Sequence, residues 1–220
     1  MIKFLLRFCQ TNKIVRKIGL SLLFCQFFLL IGAELASGTV FGVRLGFFNS
    51  GLLPSEYQNT IPDRFTGAYL GRYFTGGHLV YLGLSYDNIK FESRVPSAEI
   101  SGRIYQPFVG LRYALGSSSN RNLRPYLCGE YFRSYTNLDS GNLFTAEERD
   151  NLEEAYSPWG FAIGFGTAYN SGNAVIFGAE TGLKWFYTDV ALVGENHSLT
   201  NYKNYRQIRH YILLYLDFVL

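Results

Sequence analysis

The chain has 220 residues, room for one domain of ordinary size, and it is 48% hydrophobic but only 17% charged, against about 25% charged in average soluble domains. Its net charge of +3 belongs to the first 38 residues: they hold five of the 20 basic residues and one of the 17 acidic ones, leaving 15 against 16. No basic patch interleaved with aromatics remains, so the charge gives no footing to a nucleic-acid partner.

Residues 1–38 read as a secretory signal peptide. A basic segment (Lys3, Arg7, Lys13, Arg16, Lys17) precedes an apolar run over 18–33, and the small residues Ala36, Ser37 and Gly38 follow. The run is shorter than the roughly 20 residues that span a bilayer, and Gln26 interrupts it. Cys9 and Cys25 fall in this leader, and the bulky Leu-Leu-Phe before Cys25 does not suit a lipoprotein signal. Cys128 is then alone in the mature domain, 39–220, so no disulfide framework is expected.

From residue 39 onward the dominant signal is period-2 alternation, which places successive side chains on opposite faces of a strand. Over 41–49, Phe41, Val43, Leu45 and Phe47 oppose Gly42, Arg44 and Gly46. Over 64–74 the pattern is weaker: Phe65, Tyr69 and Tyr73 are expected outside and Arg72 inside, with Leu70 out of phase. Over 78–91, Val80, Leu82, Leu84 and Tyr86 oppose Tyr81, Gly83, Ser85 and Asp87. Over 103–113, Tyr105, Val109, Leu111 and Tyr113 oppose Gln106, Gly110 and Arg112. Over 124–135, Leu127 and Tyr131 oppose Glu130 and Ser134.

The clearest strand is 158–169, where Trp159, Phe161, Ile163, Phe165, Thr167 and Tyr169 face a side made only of glycine and alanine. Over 173–188, Val175, Phe177, Leu183, Trp185 and Tyr187 oppose Glu180 and Lys184. Over 206–220, Ile212, Leu214, Leu216, Phe218 and Leu220 oppose Arg209, Tyr211, Tyr215 and Asp217. Connections near 49–63, 92–102, 136–157 and 189–205 are read as long loops, and those at 75–77, 115–123 and 170–173 as short turns. Within the third long loop, 145–155 is expected to form a short helix.

Eight strands with long and short connections in alternation predict an all-β fold: an eight-stranded antiparallel up-and-down transmembrane β-barrel. In hydrocarbon every backbone group must pair internally, which a closed sheet with an apolar outer face achieves. Phe47, Tyr73, Tyr113, Trp159, Tyr169, Trp185 and Tyr187, near strand ends, are the expected interfacial aromatic girdle. Arg44, Arg72, Asp87, Arg112, Glu130, Glu180, Lys184, Arg209 and Asp217 are the expected lumen ion-pair network, because buried charges need opposite partners.

The segments QPFVGLRY (106–113), RPYLCGEYF (124–132), WGFAIGFGTAY (159–169) and HYILLYLDFVL (210–220) resemble the small outer-membrane β-barrel proteins: the barrel domain of outer membrane protein A, outer membrane protein X and the opacity-type adhesins. The resemblance is one of pattern over nearly the whole mature domain. It implies the bacterial outer membrane, lipopolysaccharide as surrounding lipid, and delivery by the barrel-assembly machinery through the C-terminal strand. That strand departs from the family by ending in Leu220, with Phe218 the nearest aromatic on the same face.

The expected role is non-enzymatic: structural or surface-interacting, adhesin-like, with an extracellular or host ligand met through the long loops. Two alternatives are a lipid-A-modifying enzyme and a small gated channel. The enzyme reading has one candidate, His197 with Ser198, together with Asp139 and Ser140. No metal-ligand spacing and no phosphate-cradling loop is present in the sequence, so no metal and no cofactor are expected. The acidic stretch of the third loop (Asp139, Glu147, Glu148, Asp150, Glu153, Glu154 against Arg149) reads chiefly as a solvated charge run.

Overall fold

The computed structural model describes residues 36–49, 64–94, 97–116, 122–139, 149–150, 153–154, 157–172, 174–193 and 198–220. Nine strands follow in chain order: β1 (Ala36–Asn49), β2 (Arg64–Phe74), β3 (Leu79–Arg94), β4 (Ser97–Ala114), β5 (Leu123–Arg133), β6 (Tyr135–Asp139), β7 (Trp159–Asn170), β8 (Val175–Val193) and β9 (Ser198–Val219). Every pairing is antiparallel, and β1 pairs with both β2 and β9. Since β3 also pairs with β4, the sheet closes on itself.

Strands β5 and β6 are two segments of one stave, so the closed barrel has eight staves. Their register on β4 runs unshifted from Phe108↔Phe132 to Tyr105↔Tyr135. The break falls at Ser134, whose N–H donates to the Pro158 carbonyl at 2.8 Å. Pro158 has no N–H to return, and neither does Pro107, which that register sets opposite Arg133; the ladder is therefore interrupted on both sides at one level.

The outer wall is apolar. Phe41, Val43, Leu45, Leu70, Leu84, Val109, Leu111, Leu127, Ile163, Phe165, Phe177, Leu183, Ile212, Leu214 and Phe218 are exposed, while Arg44, Arg112, Glu180, Lys184, Arg209 and Asp217 are buried. A water-soluble barrel would invert this distribution; a wall facing lipid requires it.

Three expectations need correction. The first is the phase of β2. Phe65 and Tyr69 are buried in the lumen and Tyr73 packs against the same core, whereas Leu70 is 53% exposed. Arg72 pairs with outward-facing Thr39 and Val80, so it lies on the outer face near the short turn, not in the lumen. A one-residue change of phase moves every side chain of a strand to the other face, so Tyr73 also leaves the girdle.

The second correction concerns two long loops. The predicted connections 92–102 and 189–205 are mostly strand: β3 and β4 stay paired to Arg94↔Ser97, and β8 and β9 to Val193↔Ser198. Alternation marks a strand only where one face meets apolar surroundings, so a hairpin beyond the membrane level carries no such mark. The third correction is to the lumen filling, which is aromatic as well as ionic. Of the expected 145–155 helix, Arg149, Asp150, Glu153 and Glu154 are helical, and the rest of that span lies outside the described residues.

Candidate functional site

The lumen is built from glycines facing rings. Gly42 is directly opposite Tyr69, Gly46 opposite Phe65, Gly110 opposite Tyr81, Gly83 opposite Phe108, Gly166 opposite Tyr126, Gly160 opposite Phe132 and Gly178 opposite Tyr215. In each pair, a methyl group on the glycine would occupy space taken by the partner's ring. A ring laid over a glycine covers backbone that the missing side chain leaves bare, and lets large side chains fill a narrow barrel.

Nearer the long loops lies a charged rung. Arg44 donates to both carboxylate oxygens of Glu130, and its Nη2 also donates to Ser85 Oγ at 2.7 Å. Lys184 Nζ donates to Glu130 Oε1 at 3.3 Å and to Gln106 Oε1 at 2.8 Å; Gln106 in turn donates to Ser134 Oγ at 2.9 Å. Arg44 lies over the Phe108 ring at 3.4 Å and Lys184 over the Phe132 ring at 4.0 Å. Both cations thus have an anion and a ring, the two partners that offset removal from water.

Nearer the short turns lies a second layer, centred on Arg112. It donates to Glu180 Oε2 and Asp217 Oδ2, each at 3.4 Å, and to Tyr69 Oη at 2.9 Å. Tyr69 donates to Asp217 Oδ1, and Tyr73 to Asp217 Oδ2 at 3.3 Å. Tyr126 and Tyr211 each donate to Glu180 at 3.2 Å. The Tyr215 ring stacks on the guanidinium at 3.6 Å. Asp217 thereby ties the last stave to β2 and β4 across the lumen.

The other expected lumen residues are placed as follows. Arg209 is buried cross-strand from Lys184. Asp87 is half-buried and accepts from the Asn88 N–H at 2.7 Å. With Arg72 outside, eight of the nine expected charges face inward, four of each sign. The alternation placed Tyr81, Ser85, Gln106, Ser134, Tyr211 and Tyr215 on the inner face, but sequence reasoning missed the other lumen rings, Phe65, Tyr69, Phe108, Tyr126 and Phe132. Opposition of glycine to aromatic across a strand pair would have found the rings, but it requires the register.

On the outer wall, Phe47, Tyr113, Trp159 and Tyr169 are exposed. Trp159 stacks on Tyr187 at 4.6 Å and Phe161 on Trp185 at 4.8 Å, forming an aromatic ladder toward the long-loop end of β7 and β8. Tyr113 stacks on His78 at 4.4 Å beside a short turn. His210 faces outward and contacts Thr181 Oγ1 at 2.7 Å. His197 and Ser140 lie outside the described residues, as do Glu147, Glu148 and residues 1–35 of the leader.

Part of the third loop is stitched to β6. Glu153 Oε1 accepts from the Leu138 N–H at 3.0 Å, and Ser157 Oγ accepts from the Thr136 N–H at 2.9 Å. Among the described residues no three His, Cys, Asp or Glu side chains gather as metal ligands. Cys128 is buried and its Sγ lies 3.6 Å from Tyr211 Oη.

No family model and no curated protein matches the chain. Solved structures do. The NMR structure of the E. coli Outer Membrane Protein W aligns with 85% of this chain and all of that one, at 12% identity and a TM-score of 0.55. The crystal structure of Neisserial surface protein A aligns with 85% of this chain and all of that one, at 13% identity and a TM-score of 0.48. At 12% identity the likeness to Outer Membrane Protein W is one of fold, and the fold is that of the small eight-stranded outer-membrane barrels.

Proposed function

We propose that this protein is a non-enzymatic barrel of the bacterial outer membrane that acts by binding an extracellular ligand at its long-loop rim. The observation that carries the reading is the pair of hairpins that outrun their neighbours. β3 continues eight residues past Tyr86, its last partner on β2, and β9 begins twelve residues before His210, its last partner on β1. The β3–β4 and β8–β9 hairpins stand on opposite sides of the eight-stave ring. Strand edges without a partner among the described residues offer N–H and C=O groups to an extended segment of another protein. The same rim in a bacterium at a host surface makes an adhesin-like role the specific form of this function.

The filled lumen supports this reading over a small gated channel. In the same frame, the N-terminal leader is a signal peptide cleaved near Ala36–Gly38, at the start of β1; lipopolysaccharide surrounds the outer-leaflet half of the wall, and the C-terminal strand engages the barrel-assembly machinery. Shortening each hairpin in the full chain, by joining Asn88 to Arg103 and Thr188 to Tyr205 through two-residue turns, tests the proposal. Expressing cells are scored for adherence to cultured cells and to immobilised matrix proteins. The shortened barrels are expected to reach the outer membrane and remain folded while adherence falls. Unchanged adherence with both hairpins shortened rules the reading out. Substituting His197 with Ala and comparing lipid A by mass spectrometry addresses the enzyme: a His197-dependent change in lipid A would establish it instead.

A further inference from the structure

The short-turn end of the lumen holds a vestibule that the ion-pair layers do not use. It is a cavity of about 20 Å³ lined by Tyr73, Gly77, Arg112, Arg124, Asn170 and Tyr215 among others. Its lining contains two guanidinium groups and no carboxylate. Arg112 is already matched by Glu180 and Asp217. Arg124 makes no ion pair with any described residue, and it is a ninth inward-facing charge beside the balanced four and four.

Two donors there lack acceptors. Arg124 is part-buried with its Nε enclosed and without a hydrogen-bond partner; the Oη of Tyr215, a residue only 5% exposed, has the Tyr126 ring beside it but no acceptor in ordinary hydrogen-bond geometry. The Asn170 side-chain oxygen is taken by the Gly172 N–H at 2.9 Å, which leaves its NH2 as a further donor. Buried polar groups are normally satisfied, and an unmatched buried donor is destabilising. A surplus cation and surplus donors around one small cavity call for an acceptor that carries negative charge.

We infer that this vestibule binds a monatomic anion, chloride in the cell, held by Arg124 Nε–H and Tyr215 Oη–H. The volume suits one water-sized or halide-sized occupant and excludes a bulky organic anion. A water would satisfy the donors and leave the charge unmatched. The inference concerns the barrel's inner end and does not depend on what the opposite rim binds.

The test uses the mature chain refolded in detergent micelles, with the thermal midpoint read from the heat-dependent gel shift in sodium chloride, sodium bromide and sodium gluconate at matched ionic strength. A ligand that binds only the folded state raises the midpoint with concentration. The midpoint is expected to climb with chloride and bromide and to stay flat in gluconate. Arg124→Gln, which removes a charge-assisted hydrogen bond, is expected to raise the half-saturating chloride about tenfold or more. Tyr215→Phe keeps the ring on Arg112 and is expected to weaken the dependence; it carries the test should Arg124→Gln fail to fold. Bromide-soaked crystals should show an anomalous peak in the vestibule. Equal midpoints in chloride and gluconate, or undiminished chloride dependence in the variant that folds, overturn the inference, as does a bromide-soaked crystal with no such peak.

Discussion

The Tyr69 ring lies over Gly42, its directly opposed residue on β1, and reaches across to Asp217 on β9. One glycine thus makes room for the ring whose hydroxyl ties the second stave to the last across β1. Gly42→Ala places a methyl group in the ring's position, and overpacking of this kind costs about 1–3 kcal/mol. Urea unfolding in micelles should show that loss. In a Tyr69→Ala background the same substitution should cost far less, because the clash is gone; equal costs in both backgrounds would refute the pairing.

The phase of β2 is directly measurable. Spin labels at Leu70→Cys and Arg72→Cys, on the outer face, should respond to lipid-soluble oxygen, Leu70 the more strongly because Arg72 sits nearer the short-turn interface. A label at Tyr69→Cys should be shielded from oxygen. The reverse ranking of positions 69 and 70 would restore the phase read from the sequence.

That phase error shows what the sequence could carry. β7 was legible because one face is only glycine and alanine, so the bulky face could only be outside. β2 has large apolar residues on both faces, Phe65 and Tyr69 on one and Leu70 on the other, and alternation alone cannot say which set meets lipid. The choice is made by neighbours: inward rings need glycines opposite them, and Gly42 and Gly46 belong to β1. The charges were easier, since Arg44, Glu130 and Lys184 interrupt apolar runs and have nowhere to go but inside. Gly–ring opposition and the hairpins beyond the membrane are properties of register, which one strand read alone does not contain.

Glu130 is the anion shared by Arg44 and Lys184. Glu130→Gln leaves two buried cations facing a neutral amide, and breaking a buried pair in this way costs about 3–5 kcal/mol. Equilibrium unfolding should register a loss of that size. Combining Glu130→Gln with Arg44→Met and Lys184→Met removes the uncompensated charge, so the triple variant should recover much of the loss. A triple variant less stable than Glu130→Gln alone would show that the rung acts by something other than charge compensation.

Glu153 accepts a hydrogen bond from the Leu138 backbone N–H and holds the third loop against β6. Glu153→Gln keeps the shape but weakens the acceptor, with a cost of about 1 kcal/mol. The effect should be local. Amide exchange at Leu138 should accelerate several-fold while the barrel's unfolding midpoint stays where it was. Unchanged exchange at Leu138 would remove Glu153 from this role.

The two charged layers close the lumen at different heights, and this fixes what a conductance measurement should show. Phe108 and Phe132 are buried beside the Arg44–Glu130–Lys184 rung; Tyr81 and Tyr215 flank Arg112 below it. An ion path would have to breach both. The wild-type protein in planar bilayers should therefore show no stable conductance. Phe108→Ala or Phe132→Ala, which opens only the upper layer, should remain silent while losing about 3–5 kcal/mol of stability through the cavity left behind. A stable, large conductance in the wild type would contradict the closed lumen, and one appearing with a single upper-layer truncation would show that the Arg112 layer is not a barrier.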